Sequence, residues 1–483
     1  MRRSRRLEPN TNTTHTNKPA ARVKMAAPPL VVGYAFMKKK VDTMREVIEE
    51  NGMNGMVWKR IDLEMLDAGR SLEEQGPFDV VVHKLSDDVR VCAQSGNGAF
   101  ESVAVGDRDG ESVSARRFRA LREYCSAHPS VPLVDPPAAV ANVVSRIATC
   151  KLLAELHGTP IDCDPEGGHR QPRLVAPRYV VAADGVERDP ATRAAIRAAL
   201  LRTMCPPAPN EEHWGSALIC KPVVACGPGV SHQLTVILDP EAFFGGGNQD
   251  SSQYSGAGKG PNDAEALAWL AEPTVVQEYV NHGGRLFKAY VVGIDEVRVF
   301  ERKSLPDLPQ PGQVRRYLSS EGVGRAGVVA FDSQKPYPTL EDLITRAIGC
   351  TEESPPVGGE RGSEAPCLPI PVPPAPAAAA AGTAITGSSV AARPLDGSGL
   401  LSAVKDVARK IHGVFGLTLF GFDCVIPDGT ADLMVLDVNY FPSYKEVRAE
   451  FSQLLLSHFV QLIDMRTPGN TPGKGTNGVV IPC

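Results

Sequence analysis

Apolar residues in this chain fall into short runs bounded by turn residues. The first, L-V-V-G-Y-A from Leu30, reads as a buried strand, and a stretch of helical period from Lys39 to Asn51 follows it. Val57 to Leu63 and Phe78 to Leu85 (F-D-V-V-V-H-K-L) are further runs of this kind, consistent with strands of a parallel sheet. From Ser86 to Ser114 the composition turns to Gly, Ser and Asp and predicts a surface insertion; Ala115 to His128 then reads as a helix, and V-P-L-V-D-P-P as an extended path. Two more insertions are expected, at Gly245 to Pro261 and at Gly349 to Gly399, where Pro, Ala and Gly dominate. The latter has too little apolar area to offset its chain entropy, so disorder or polyproline II is expected there. Between the insertions, Ala217 to Leu238 and Pro273 to Lys303 each read as strand, glycine-containing loop, strand, and Leu401 to Ile463 as helix, hairpin, helix.

A length of 483 residues exceeds one core and predicts two to three domains. The formal charge of -5, from 51 Lys+Arg against 56 Asp+Glu, gives no global field to attract nucleic acid or a membrane surface, so any polyanion site must be a local cluster of basic residues. Eleven cysteines with no C-x-x-C pair fit neither a disulfide framework nor a thiolate zinc site, and read as reduced thiols of an intracellular protein. No apolar run is long enough for a bilayer-spanning helix. Residues 1 to 27 are basic, Thr/Asn-rich and without an apolar h-region, which argues against a secretory signal. They read as a solvated tail, with an organelle transit peptide as the alternative.

The strongest chemical signal is the hairpin of L-F-G-F-D-C-V-I, a P-D-G turn and L-M-V-L-D-V-N-Y-F-P. Side chains two apart on a strand share a face, so Asp437 and Asn439 point the same way, and Asp423 lies across from them if the hairpin pairs through Pro427 to Asp432. Two carboxylates and an amide oxygen form an incomplete oxygen shell that suits Mg²⁺, with phosphate oxygens and water completing it. The alternative is a pair of strand-end acids bonded to backbone, against which their apolar neighbours argue. In L-I-C-K-P-V-V-A-C-G-P-G-V-S-H, Lys221 ends a strand before a glycine loop that leads to His232; such loops let N–H groups approach phosphates, and are also ordinary turns. In V-V-Q-E-Y-V-N-H-G-G-R-L-F-K, the strand edge Gln277, Glu278, Tyr279 and Val280 offers backbone groups for an adenine, with Lys288 toward the phosphates, while Arg302, Lys303 and Ser304 suit phosphates or a solvated face. P-loop, protein-kinase and G-x-G-x-x-G motifs are absent. Basic strand ends combined with a D…D-x-N hairpin are the arrangement of the ATP-grasp fold.

V-G-Y-A-F-M-K-K-K, E-E-Q-G-P-F-D-V-V-V-H-K-L, V-D-P-P-A-A-V, K-P-V-V-A-C-G-P-G-V-S-H, Q-E-Y-V-N-H-G-G-R-L-F-K-A-Y-V-V-G and L-D-V-N-Y-F-P-S-Y together resemble the inositol tetrakisphosphate 1-kinases (inositol trisphosphate 5/6-kinases), plant and algal members especially. The resemblance implies an α/β chain: an ATP-grasp fold behind an N-terminal α/β substrate-binding domain (28–138), a central lobe (139–300), and a C-terminal lobe (301–465) with the metals. Implied substrate ligands are Lys40, Lys84, His232, Lys288, Asn439 and Ser443. Implied ATP contacts are Arg146, Lys221, Gln277 to Val280, Lys288, Ser304 and Ser333, with Lys288 and Arg302 offsetting charge on the transferred phosphoryl. Asp423, Asp437 and Asn439 would hold two magnesium ions, with ATP as co-substrate and inositol polyphosphates as acceptors. A monomer in the cytoplasm, also nuclear, is the expectation. Without the resemblance, Lys40 in its K-K-K run and Lys84 read equally well as surface lysines, and His282 as structural. Departures from the family pattern are Gln-Leu after His232, Cys226, and Ser443 for a frequent Gly; none removes a charged ligand. The metal hairpin alone would also suit a carboxylate-amine ligase, and a non-catalytic inositol phosphate sensor is the rival from another class.

Overall fold

A computed structural model of the chain describes residues 28–49, 54–94, 111–163, 171–183, 190–204, 217–227, 229–244, 272–309, 313–314, 327–348 and 397–466. The basic tail, the 245–261 insertion, nearly all of the 349–399 insertion and the last residues of the chain lie outside them.

Strands β1 (Leu30–Phe36), β2 (Met56–Arg60), β3 (Val80–Lys84) and β4 (Leu133–Val134) form a parallel sheet in the order β2-β1-β3-β4. Continuous apolar runs such as Val80, Val81 and Val82 suit it because helices cover both faces of such sheets. The expected insertion at Ser86 is corrected by the structure. Ser86–Gln94 is a helix with Val89 fully buried, and Asp88 ties it to the helix Val113–Ala127 through Ser114 Oγ at 2.8 Å and Arg117 Nη1 at 3.0 Å. Its polar residues Asp87, Asp88 and Arg90 pair with neighbouring side chains, so its composition resembled a loop. Residues 95–110 lie outside the described ones.

A five-stranded sheet has the order β13-β9-β8-β10-β7, built from β7 (Tyr179–Ala182), β8 (Leu218–Pro222), β9 (Gln233–Ile237), β10 (Thr274–Glu278) and β13 (Val328–Asp332). A six-stranded sheet has the order β12-β11-β14-β15-β6-β5: β5 (Thr159–Pro160), β6 (Arg173–Val175), β11 (Arg285–Val292), β12 (Glu296–Lys303), β14 (Leu419–Val425) and β15 (Leu433–Tyr440). This corrects two expectations. Pro273 to Lys303, read as two strands about a glycine-containing loop, holds three, β10, β11 and β12, and β10 and β11 belong to different sheets with the turn Asn281–Gly284 crossing between them. Gly283 (φ 66°) and Gly284 (φ 64°) take left-handed conformations there that side chains disfavour. The proposed boundary at residue 300 also falls inside β12, which pairs with β11, while β11 pairs with β14, which carries Asp423, so both hairpins form one sheet.

The core shows which parts cohere. One continuous apolar cluster joins the first sheet (Val32, Val81), the six-stranded sheet (Ala289, Phe420, Val435) and the helices Gly397–Phe415 and Arg448–Arg466. Phe36 meets Phe441 edge-on at 5.6 Å, and Trp58 meets Phe459 at 6.5 Å. The five-stranded sheet has its own clusters, Leu200, Leu218 and Val276 on one side and Val236, Phe331 and Leu343 on the other.

Two histidines buried in the joined core make it acid-sensitive. Burial holds His83 and His458 down to about 4, so each stays neutral in the fold while its unfolded counterpart protonates near 6.5. A depressed folded pKa gives stability that is present above pH 6.5 and lost as pH falls toward 4, and by pH 5 each histidine has given up about 2 kcal/mol. Thermal melts should therefore drop clearly between pH 7 and pH 5; a flat profile over that interval would refute the assignment.

Candidate active site

Strand register brings the predicted metal ligands together. Asp423 of β14 stands opposite Asp437 of β15, Lys288 of β11 stands opposite Asp423, and Asn439 stands opposite Gly421, all on one sheet face. Gly421 is required there, since a Cβ would come within 2.9 Å of the Ala289 carbonyl. A bulge follows at Asp423/Cys424.

Lys288 Nζ lies 3.1 Å from Asp423 Oδ1, and the second Asp423 oxygen has no hydrogen-bond partner among the described residues. Asn439 Nδ2 donates to Asp437 Oδ2 at 3.3 Å, which leaves the amide oxygen unused. Burial raises the Asp423 carboxyl above its usual range, Lys288 opposes this, and Asp437 adds to it. Two facing carboxylates, Asp423 with one oxygen free and Asp437 accepting from Val438 N–H at 3.0 Å as well as from Asn439, have Lys288 only on the far side of Asp423, so the donor set fits a hard divalent cation. Among the described residues no group of three His, Cys, Asp or Glu exists that could hold a metal, so a cation held here would draw further oxygens from outside the protein.

From the five-stranded sheet, Lys221 reaches across the cleft to the Leu436 carbonyl at 3.3 Å, beside Asp437. Burial lowers its pKa, and Asp437 works against that. Arg146, at the start of the helix Arg146–Leu156, is 8% exposed and donates to the carbonyls of Pro222, Val224 and Ser231 at 2.6, 2.9 and 2.9 Å. It braces the glycine loop in place of pointing freely at a nucleotide, although its Nε is buried without a partner. His232 ends the loop, half-buried; desolvation, Arg146 and Lys39 lower its pKa. Its carbonyl accepts from the Ser333 N–H at 2.9 Å, which puts Ser333 beside the loop.

The adenine edge is corrected in part. β10 is interior, paired with β8 and β7 through Gln277; Glu278 N–H bonds the Arg178 carbonyl and Tyr279 N–H the Ala217 carbonyl. The Glu278 carboxylate is clasped by Arg178 at 2.6–2.8 Å and the Tyr279 hydroxyl by the Pro306 carbonyl at 2.7 Å. What stays open is Gln277 Oε1, buried and unpartnered, with its Nε2 on Cys150 Sγ at 3.3 Å, and the chain beyond Tyr279 at Val280. The Val280 carbonyl accepts from His282 Nδ1 at 2.7 Å, and His282 Nε2 meets Ser304 Oγ at 2.8 Å, so His282 is structural and Ser304 is held by it. Arg302 pairs with Glu446, and Tyr290 donates to the same carboxylate at 2.5 Å; Arg302 is therefore not free to act alone.

Lys40 is buried and Lys84 half-buried, contrary to a surface reading. Lys40 Nζ donates to the carbonyls of Phe441 and Pro442 at 3.2 and 2.8 Å and sits 3.6 Å from the Phe441 ring centre, and Lys84 Nζ donates to the Tyr440 carbonyl at 2.5 Å. Burial lowers both, Lys84 to about 8. Between them they grip the segment that follows Asn439, where Phe441 (φ 38°) and Tyr444 (φ 52°) are left-handed and Ser443 is half-buried. The sequence reading missed two residues that hold this segment. The Tyr440 hydroxyl meets the His83 carbonyl at 2.5 Å, and Asp135 accepts from Thr418 N–H, Thr418 Oγ1 and Leu419 N–H at 2.9, 2.6 and 2.9 Å. Both lie in motifs that had been singled out, but an acid before two prolines carries no signal that its partners are 283 residues away.

Comparison with known proteins agrees with this geometry. Residues 31–140 match the inositol 1,3,4-trisphosphate 5/6-kinase pre-ATP-grasp domain, and residues 262–324 and 391–461 match the ATP-grasp domain of the same kinases, together about half of the chain. Inositol-tetrakisphosphate 1-kinase 3 of Arabidopsis thaliana is 27% identical over 458 residues, covering 93% of this chain and 92% of that one. Inositol-tetrakisphosphate 1-kinase 1 of Zea mays is 26% identical over 480 residues, covering 98% of each. Among solved structures, D-alanyl-alanine synthetase A from Vibrio cholerae overlays with a TM-score of 0.41 at 10% identity, covering 90% of this chain and 99% of that one, too weak a likeness to add to the fold reading. With its first sheet inside the pre-ATP-grasp match and its metal hairpin inside the ATP-grasp match, the chain belongs to the inositol 1,3,4-trisphosphate 5/6-kinase family, with an ATP-grasp fold.

Proposed function

We propose that this chain transfers the γ-phosphoryl group of Mg-ATP to a hydroxyl of an inositol polyphosphate, tetrakisphosphate and trisphosphate acceptors first and hexakisphosphate as a further candidate. The observation that carries this is the facing pair Asp423 and Asp437, set with Lys288, Lys221 and Asn439 in a cleft between two sheets. Asp423, Asp437 and Asn439 would hold magnesium, which would supply charge neutralisation on the transferred phosphoryl group. Three protein donors leave room for two ions.

In this reading Lys221 and Lys288 offset charge that spreads over the transferred group, with Arg302 behind them on Glu446. Gln277 and Val280 receive the adenine, while Arg146 keeps the glycine loop shaped around the phosphates. Lys84 has two further N–H groups to offer an acceptor phosphate and Lys40 one, beside His232, Asn439 and Ser443. The acceptor hydroxyl attacks in line, and a loose transition state requires little early proton removal, so no general base is assigned.

The test is direct. Purified protein with Mg-ATP and a panel of inositol tris-, tetrakis- and hexakisphosphates should yield a product of higher charge on anion-exchange chromatography. ADP release that instead requires a carboxylic acid and an amine would replace this reading by a ligase, and tight binding without turnover by a sensor.

A further inference from the structure

Beside the cleft lies a basin of about 550 Å³ lined by Lys38, Lys39, Asp42, Thr43, Lys445 and Arg448. Four cations face one acid, and that acid is already engaged, with Arg45 Nη2 at 2.6 Å from Asp42 Oδ1. Arg448 reaches Glu46 at 2.9 Å, an exposed pair that contributes little and exchanges easily. Lys38, Lys39 and Lys445 have no ion-pair partner among the described residues.

The placement of these charges opposes local stability. The helix Lys38–Glu49 starts with three lysines and has no acid in its first turn, whereas the helix that starts at Arg448 carries Glu450 in its first turn, engaged by Arg298. Helix amino ends favour negative groups, so gathering cations at the first of them, with Lys445 and Arg448 close by, adds repulsion that a bound anion would relieve. Conflicts of this kind between local preference and fold are characteristic of ligand sites. The basin also adjoins the acceptor side of the cleft. Lys39 is close enough to lower the His232 pKa, and Lys40, next in sequence, holds Phe441 and Pro442, which lead through Ser443 and Tyr444 to Lys445.

We propose that this basin is an acceptor-specificity site that takes a phosphate of the inositol polyphosphate remote from the reacting hydroxyl, and so favours the more heavily phosphorylated acceptors. It rests on the kinase reading above. A trisphosphate has fewer groups with which to reach it, so discrimination appears in KM and leaves kcat alone.

The experiment compares wild type with a Lys38→Ser, Lys445→Ser variant, using inositol tris-, tetrakis- and hexakisphosphate for kinetics and inositol hexakisphosphate for calorimetry. Serine suits both helix starts, so the fold should persist; if melting falls, Lys445→Gln alone is used. Expected is a rise in KM of about tenfold for the most phosphorylated acceptor turned over, under about twofold for the trisphosphate, with kcat unchanged. An equal change for every acceptor, or none, overturns the proposal. Absence of turnover in the wild type would sink the kinase reading instead, and the basin would then stand or fall on whether the variant binds inositol hexakisphosphate more weakly. Lysine-dependent pelleting with vesicles containing phosphatidylinositol bisphosphate, with acceptor kinetics unmoved, would overturn it in favour of a lipid headgroup.

Discussion

Asp437→Asn is expected to lower kcat by roughly 10³-fold or more, because it removes one of two carboxylates available to the metal and with it several kcal/mol of transition-state charge stabilisation. Loss of activity alone would not separate chemistry from misfolding, but the geometry supplies a second readout. Without nucleotide, the Asp423 and Asp437 side chains face each other, and Asp437 contributes to the raised pKa of Asp423. Asparagine removes that repulsion and keeps the shape, so the unliganded variant should melt at the wild-type temperature or above it. Mg-ATP should raise the melting temperature of the wild type and leave the variant nearly unmoved. A variant that retains activity, or gains as much from Mg-ATP as wild type, would remove Asp437 from the site.

That Asp423, Asp437 and Asn439 could be read from sequence follows from a period of two and a short turn, which together fix register within a hairpin. The same logic failed where contacts are distant. Nothing local marks β10 and β11 as members of different sheets, or β12 as the partner of β11 across the boundary read at residue 300. Lys40 and Lys84 read equally well as surface lysines because their carbonyl partners are about 400 and 356 residues away. The Gln277 to Val280 segment read as an edge with free backbone groups, but its pairing with β7 and β8, which leaves little of it free, is a tertiary fact.

The second large effect is expected at a residue that touches neither ATP nor acceptor in the proposed reading. Asp135→Ala would leave two N–H groups and a hydroxyl at the start of β14 without their acceptor, and such buried orphans cost roughly 3–5 kcal/mol together. Because β14 carries Asp423, Mg-ATP affinity should fall along with stability. Asp135→Asn keeps one acceptor oxygen and should recover about half of the loss. Denaturant titration measures the first effect and nucleotide-induced shifts in melting the second; an Ala variant as stable as wild type would show that the contacts are dispensable.

The continuous core between the first sheet and the six-stranded sheet has a mechanical consequence. Lys40, Lys84, Tyr440 and Asp135 weld the acceptor side of the cleft to the metal hairpin, so the span from acceptor cations to carboxylates is set when the chain folds. The five-stranded sheet, packed around its own clusters, is the only one of the three that can swing as a separate jaw. In the proposed reading, closure on a nucleotide would be a hinge movement against a rigid anvil, and the alignment of hydroxyl and metal would not have to be rebuilt at each turnover.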